Sequence, residues 1–143
     1  MPDLAFEQAA AILAAQPFSG LLGAELTAFG DGAATIELEL RTDLTQQNGF
    51  AHGGVLSYAA DNAITFAAGS VLGPQVLTAG FSIEYLRPAT GRRLVAVAEV
   101  VEATRSRASV SCRVSSVGDD GTSRVCAVAL GTVAAVTPAQ NGG

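Results

Sequence analysis

Residues 55–72 read Val-Leu-Ser-Tyr-Ala-Ala-Asp-Asn-Ala-Ile-Thr-Phe-Ala-Ala-Gly-Ser-Val-Leu, a run that as a helix is apolar on nearly every side and carries one charge, Asp61. It is long enough for about five turns. A helix that is apolar all round has to be covered all round, so whatever else the chain forms must enclose this segment. Gly73-Pro74 stops it. Gly, Pro and charge interrupt the apolar stretches before they reach the ~18 continuous residues of a membrane span.

The material available for covering the helix is mostly β-type. Leu4, Ala5, Ala9, Ile12 and Leu13 fall at helical spacing before Pro17, which predicts a short amphipathic helix over 3–16 lying on the outside. Ile36, Leu38 and Leu40 alternate with Thr35, Glu37 and Glu39 behind the turn Gly30-Asp31-Gly32, which predicts a hairpin of 24–29 and 33–41. Beyond the buried helix, β-type runs cover 76–87, 93–105, 107–117 and 123–136, with short connections that imply antiparallel pairing. The expected fold class is α+β, an antiparallel sheet wrapped around one long buried helix. At 143 residues the chain is expected to be one domain, 1–143, with a frayed tail at 138–143.

The net charge of −5 argues against a nucleic-acid partner. There is no lysine, yet six of the eight arginines, Arg87, Arg92, Arg93, Arg105, Arg107 and Arg113, fall in one stretch. A guanidinium grips phosphate with a planar fork of donors, so the cluster is a candidate site for a phosphorylated small molecule; solvated strand-face charges are the plainer reading. The acidic N-terminus, Met1-Pro2-Asp3-Leu4, lacks the order of a secretion signal, and a cytoplasmic protein with no membrane partner is expected. Cys112 and Cys126 flank a turn at Gly118–Gly121 and are expected to be buried thiols rather than a disulfide. One His and two Cys are too few for a zinc cluster, so no metal is expected.

Asp61 is the only charged residue between Asp43 and Glu84. An ionised carboxylate in a buried helix costs several kcal/mol unless it is paired or hydrogen-bonded, which marks it as a functional candidate. Ser57, Tyr58 and Thr65 on its face leave a structural hydrogen-bonding role open. At the helix entrance stands His52-Gly53-Gly54. The first N–H groups of a helix lack intrahelical acceptors and sit at the positive end of its dipole, a geometry suited to a developing oxyanion. Gly53 and Asp61 are eight residues apart, so about 12 Å separates them along one helix. They cannot reach the same carbonyl. If both act, they act from different copies of the chain, which predicts a two-fold dimer with shared sites.

The run Gln46-Gln47-Asn48-Gly49-Phe50-Ala51-His52-Gly53-Gly54, followed by Asp61 and Asn62, resembles the signature of the PaaI-like hot-dog thioesterases. Phe81-Ser82-Ile83-Glu84-Tyr85-Leu86-Arg87-Pro88-Ala89 resembles the strand and Pro-Ala turn of the same family. The resemblance implies a hot-dog fold, a homodimer or dimer of dimers, and hydrolysis of an acyl-CoA thioester. Coenzyme A would then be part of the substrate, with no cofactor. It also implies that Asp61 is the nucleophile or general base and that the Gly53 N–H polarises the thioester carbonyl, with Gly54 beside it. Gln46 would orient the thioester or water, with Asn48 as the rival for that role. Thr78 falls near a hydroxyl position that holds the water, and His52 would support the loop and substrate. Arg87, Arg105 and Arg107 are the candidates for the coenzyme A phosphates. Tyr58, Phe66 and Phe81 are candidate acyl-pocket walls, though plain core packing is the favoured reading for each. Two other readings stand beside hydrolysis: a non-catalytic acyl-CoA or acyl-carrier binding module, and a hydratase or dehydratase pairing His52 with Asp61 across subunits.

Overall fold

The computed structural model describes residues 2–136. The expected tail after Thr137 lies outside the described residues. Helices α1 (Pro2–Ala15) and α2 (Pro17–Leu22) come first, then strands β1 (Glu25–Gly30) and β2 (Ala33–Glu39), helix α3 (Gly53–Leu72), and strands β3 (Val76–Tyr85), β4 (Arg93–Ala103), β5 (Arg107–Val117) and β6 (Ser123–Ala135). Pro17 ends α1, as its missing N–H and fixed φ require, but it also opens α2 as a first-turn residue. Gly23 closes α2 in the left-handed conformation, with φ 74°.

The six strands form one antiparallel sheet in the order β1-β2-β4-β5-β6-β3. α3 packs against all six. Ala59, Ala60, Ala63, Ile64, Ala67 and Ala68 are sealed from solvent, and the small alanines let the strands approach closely. Facing them are Ile36, Leu94, Ala96, Val110, Val114 and Val133, the inward set of alternating strands. This is the sheet wrapped around one long helix that the apolar run requires, and the hot-dog fold that the resemblance implies.

The sheet ends at β3, which pairs with β6 on one side only. A bulge between Thr78 and Gly80 shifts its register. Within a regular strand, Thr78 would share a face with Gly80, Ser82 and Glu84; the bulge turns it to the other face, toward α3. Cys112 and Cys126 are buried and free, and Cys112 pairs in register with Ala129 rather than with Cys126. Burial pushes the Cys112 thiol up to about 12, so it stays protonated and inert.

Ile64 touches the strands from the centre of α3 and is fully buried. Ile64→Ala is expected to cost about 2–5 kcal/mol. Urea unfolding at fixed protein concentration would show this as a lower midpoint.

Candidate active site

The helix that the sheet encloses is not apolar on its β3 side. Ser57, Asp61 and Thr65 recur at intervals of four and form one polar stripe. β3 answers with hydroxyls. The Tyr85 hydroxyl lies 2.8 Å from Ser57 Oγ, oxygen to oxygen. Thr78 Oγ1 donates to Asp61 Oδ1 at 2.8 Å and lies 2.6 Å from Thr65 Oγ1. Thr65 donates in turn to the Asp61 carbonyl at 2.8 Å. A hydroxyl has one proton to give; Thr78 gives its own to Asp61 Oδ1, so Thr65 is the donor in the 2.6 Å pair and shares its proton between Thr78 and the Asp61 carbonyl. The carboxylate is therefore held through one oxygen, and among the described residues its other has no hydrogen-bond partner.

Asp61 is half-buried rather than sealed. The apolar run places it in a helix covered on every side; the sheet instead ends at β3, the strand whose Thr78 bonds it.

At the opposite end of the stripe, His52 caps α3. Its Nδ1 accepts from the Gly54 N–H at 2.8 Å, and its carbonyl takes the Val55 and Leu56 N–H groups at 2.9 and 3.4 Å. With Nδ1 engaged as an acceptor, the ring carries its proton on Nε2 and serves as a cap. Among the described residues, no acceptor faces the Gly53 N–H. It is the one donor of the first turn left for a ligand, at the positive end of the helix. Tyr85 donates to the Gly53 carbonyl at 3.1 Å, which fixes the peptide on the other side. A Cβ at Gly53 would stand 3.3 Å from the Tyr85 oxygen, so little space remains there for a side chain.

The other expected site residues are spread more widely. Gln46 Oε1 accepts the Asn48 N–H, and Gly49 closes the turn with φ 84°, so both rivals for the orienting role belong to one loop before His52. Tyr58 is buried and donates to Ser19, with the Phe18 ring edge-on at 5.5 Å; burial raises its hydroxyl above the usual range. Phe81 packs partly buried between Thr78 and Tyr85 on β3, and Phe66 is buried against Phe29. The arginines divide. Arg87 is anchored to the Val125 carbonyl at the Tyr85 end of β3, whereas Arg105 and Arg107 stand exposed on the β4–β5 hairpin near Val76. Arg92 and Arg93 pair with Asp119 and Glu37.

Tyr85 escaped sequence analysis as a site residue. The alternation Phe81, Ile83, Tyr85 carried the signal that it faces the helix.

The family model described as Thioesterase superfamily matches residues 48–122, more than half of the chain, from the Asn48 loop through the Asp61 stripe to the turn before β6. This chain belongs to the thioesterase superfamily. It is a PaaI-like hot-dog thioesterase and a thioester hydrolase. A thioesterase family protein from Silicibacter pomeroyi is 31% identical, with a TM-score of 0.85 over 92% of this chain and 98% of that one. A mutant of the phenylacetic acid degradation protein PaaI from Thermus thermophilus is 30% identical, with a TM-score of 0.74 over 85% of this chain and all of that one. The PaaI protein of the E. coli phenylacetic acid degradation operon, 20% identical with a TM-score of 0.82 over 95% of this chain and 96% of that one, shares the fold. No curated protein sequence matches the chain. Among the described residues, no helix is long and apolar enough to cross a membrane.

Thr78→Val removes the donor to Asp61 at nearly constant volume. Thioester hydrolysis is expected to fall about tenfold in kcat, the effect of one hydrogen bond to a charged group, while Thr78→Ser retains most of it. Steady-state kinetics on both variants checks this.

Proposed function

We propose that this thioesterase hydrolyses an acyl-CoA ester to the free acid and coenzyme A, with Asp61 as its carboxylate. The observation that carries the reading is the bond from Thr78 to Asp61 Oδ1 on the open side of α3. That bond aims a carboxylate, in a half-buried position, at the edge where the sheet leaves the helix uncovered. As a general base, Asp61 takes a proton from water as the oxygen attacks the thioester carbonyl carbon. As a nucleophile, it attacks that carbon itself, and water then opens the mixed anhydride. In both routes the carbonyl oxygen becomes an oxyanion, the C–S bond breaks, and the thiolate of coenzyme A leaves and takes up a proton. Thiolate is a good leaving group, so this chemistry needs no metal and no cofactor beyond the coenzyme A of the substrate. Gln46 or Asn48 serves to orient the attacking water or thioester, and His52 and Gly54 shape the loop that receives it.

The Gly53 N–H stands too far along the same helix to meet the oxyanion, and the open edge of β3 suggests how it is supplied. A ten-residue edge strand paired on one side only, with Leu77 66% and Tyr85 53% exposed, invites a partner. Antiparallel pairing of β3 with β3 of a second copy, about a two-fold axis near Phe81, sets Tyr85 of one copy opposite Thr78 of the other. Since Tyr85 holds Gly53 and Thr78 holds Asp61, each site then takes its N–H from one copy and its carboxylate from the other. The same pairing brings Arg87 of one copy to the end of the sheet that carries Arg105 and Arg107 of the other, three strands over, which makes the separated arginines candidates for different phosphates of one coenzyme A. Such a homodimer is the unit of function in this reading, whether or not two dimers associate further. A cytoplasmic setting fits the free, buried Cys112 and Cys126.

Release of free thiol from a panel of aromatic and straight-chain acyl-CoA esters tests the reading. The wild type is expected to hydrolyse part of the panel, and Asp61→Asn to lose at least ~100-fold in kcat while remaining folded. Binding of the esters without thiol release would instead mark an acyl-CoA-binding module.

A further inference from the structure

A cavity of about 380 Å³ lies between α1 and the C-terminal half of α3, closed by Phe29 at the end of β1 and Val76 at the start of β3. Thr65 forms part of its wall, and the Thr65 hydroxyl is the one that touches Thr78, which in turn holds Asp61. The cavity therefore begins one helical turn from the carboxylate. Ile12, Phe29, Phe66 and Val76 give it an apolar body, and among the described residues that line it none is charged. Its volume is at the small end of the range for small-molecule sites, about 300–1,000 Å³.

Its polarity is fixed from behind. Ser19, fully buried, donates to Gln16 Oε1 at 2.6 Å, so the Tyr58 hydroxyl, 2.5 Å from Ser19 Oγ, must be the donor in that pair. The chain of donors runs from Tyr58 through Ser19 to Gln16 and occupies the acceptor end of the Gln16 amide. What Gln16, a lining residue, keeps without a partner among the described residues is the second lone pair of Oε1 and its N–H₂ group, a neutral donor. A neutral substrate oxygen can accept from it. A carboxylate would be stripped of water there with no cation to replace it, a loss that neutral donors do not make good.

We propose that this cavity holds the acyl group of the substrate and that α1 sets acyl specificity through Ile12, restricting the enzyme to compact, uncharged acyl groups. The inference rests on the acyl-CoA thioesterase reading and adds the substrate class. Ile12 is half-exposed on α1, so exchanging it leaves the enclosed core intact.

The test compares kcat/KM for three coenzyme A esters: acetyl, a straight-chain acyl of six carbons, and its ω-carboxylate counterpart. The wild type is expected to prefer the neutral six-carbon ester over the ω-carboxylate at least about tenfold. Ile12→Trp fills the cavity and is expected to lower the six-carbon to acetyl ratio by about tenfold or more, and Ile12→Ala to raise it. Ile12→Arg supplies the missing cation and is expected to shift the ω-carboxylate to neutral ratio upward by about tenfold, a gain that misfolding cannot mimic. Active variants that keep the wild-type ranking would overturn the assignment of the cavity while leaving the thioesterase reading in place. A wild type that releases thiol from none of the esters would overturn both.

Discussion

The structure depends on covering one apolar helix with one sheet. α3 offers apolar atoms in nearly every direction, and burying them supplies the main driving force of the fold at roughly 25 cal/mol per Å². Six antiparallel strands curl around it, and the one direction they leave incomplete is the side of β3. It is on that side that the helix carries Ser57, Asp61 and Thr65. The hydroxyls of Tyr85 and Thr78 zip the polar stripe to the strand, so the packing that closes the core also positions the carboxylate. Scaffold and site are made by the same contact.

Much of this was legible because it is periodic. The apolar run required a buried helix, strict alternation marked the strands, and Asp61 stood out as the one charge between Asp43 and Glu84. The element order then admitted few arrangements. What escaped is non-periodic. The bulge at Thr78 and Gly80 decides that Thr78 faces Asp61, and no local propensity announces it. The Tyr58, Ser19 and Gln16 chain joins residues 39 positions apart. Pro17 reads as a stop in the sequence, and its second role as the first residue of α2 stays hidden because proline suits both. The arginine cluster, compact in sequence, is divided by the antiparallel register between the two ends of β5 and β6.

The two ends of the polar stripe have complementary chemistry and are too far apart to cooperate within one copy. Asp61 can take a proton or attack a carbonyl; the Gly53 N–H, fixed between the His52 cap and Tyr85, can receive an oxyanion. In the proposed dimer, pairing through the open edge of β3 resolves both problems at once, covering an exposed strand and bringing the two ends together. Catalysis in this account is a property of the pair of chains.

Mixed dimers test that claim most directly. Gly53→Pro deletes the free N–H at a helix position whose backbone accepts proline, His52 already having the extended ψ of 138° that a following proline requires. The Tyr85 hydroxyl, 3.3 Å from where the new Cβ falls, has to give by a few tenths of an ångström, so the variant disables the glycine end of the site on both counts. Asp61→Asn deletes the carboxylate. Each variant alone is expected to be nearly inactive, and coexpression is expected to restore about a quarter of wild-type thioester hydrolysis, because half of the dimers are mixed and each has one intact site. Activity that stays at the level of the separate variants, with mixed dimers present by mass spectrometry, would contradict the shared site.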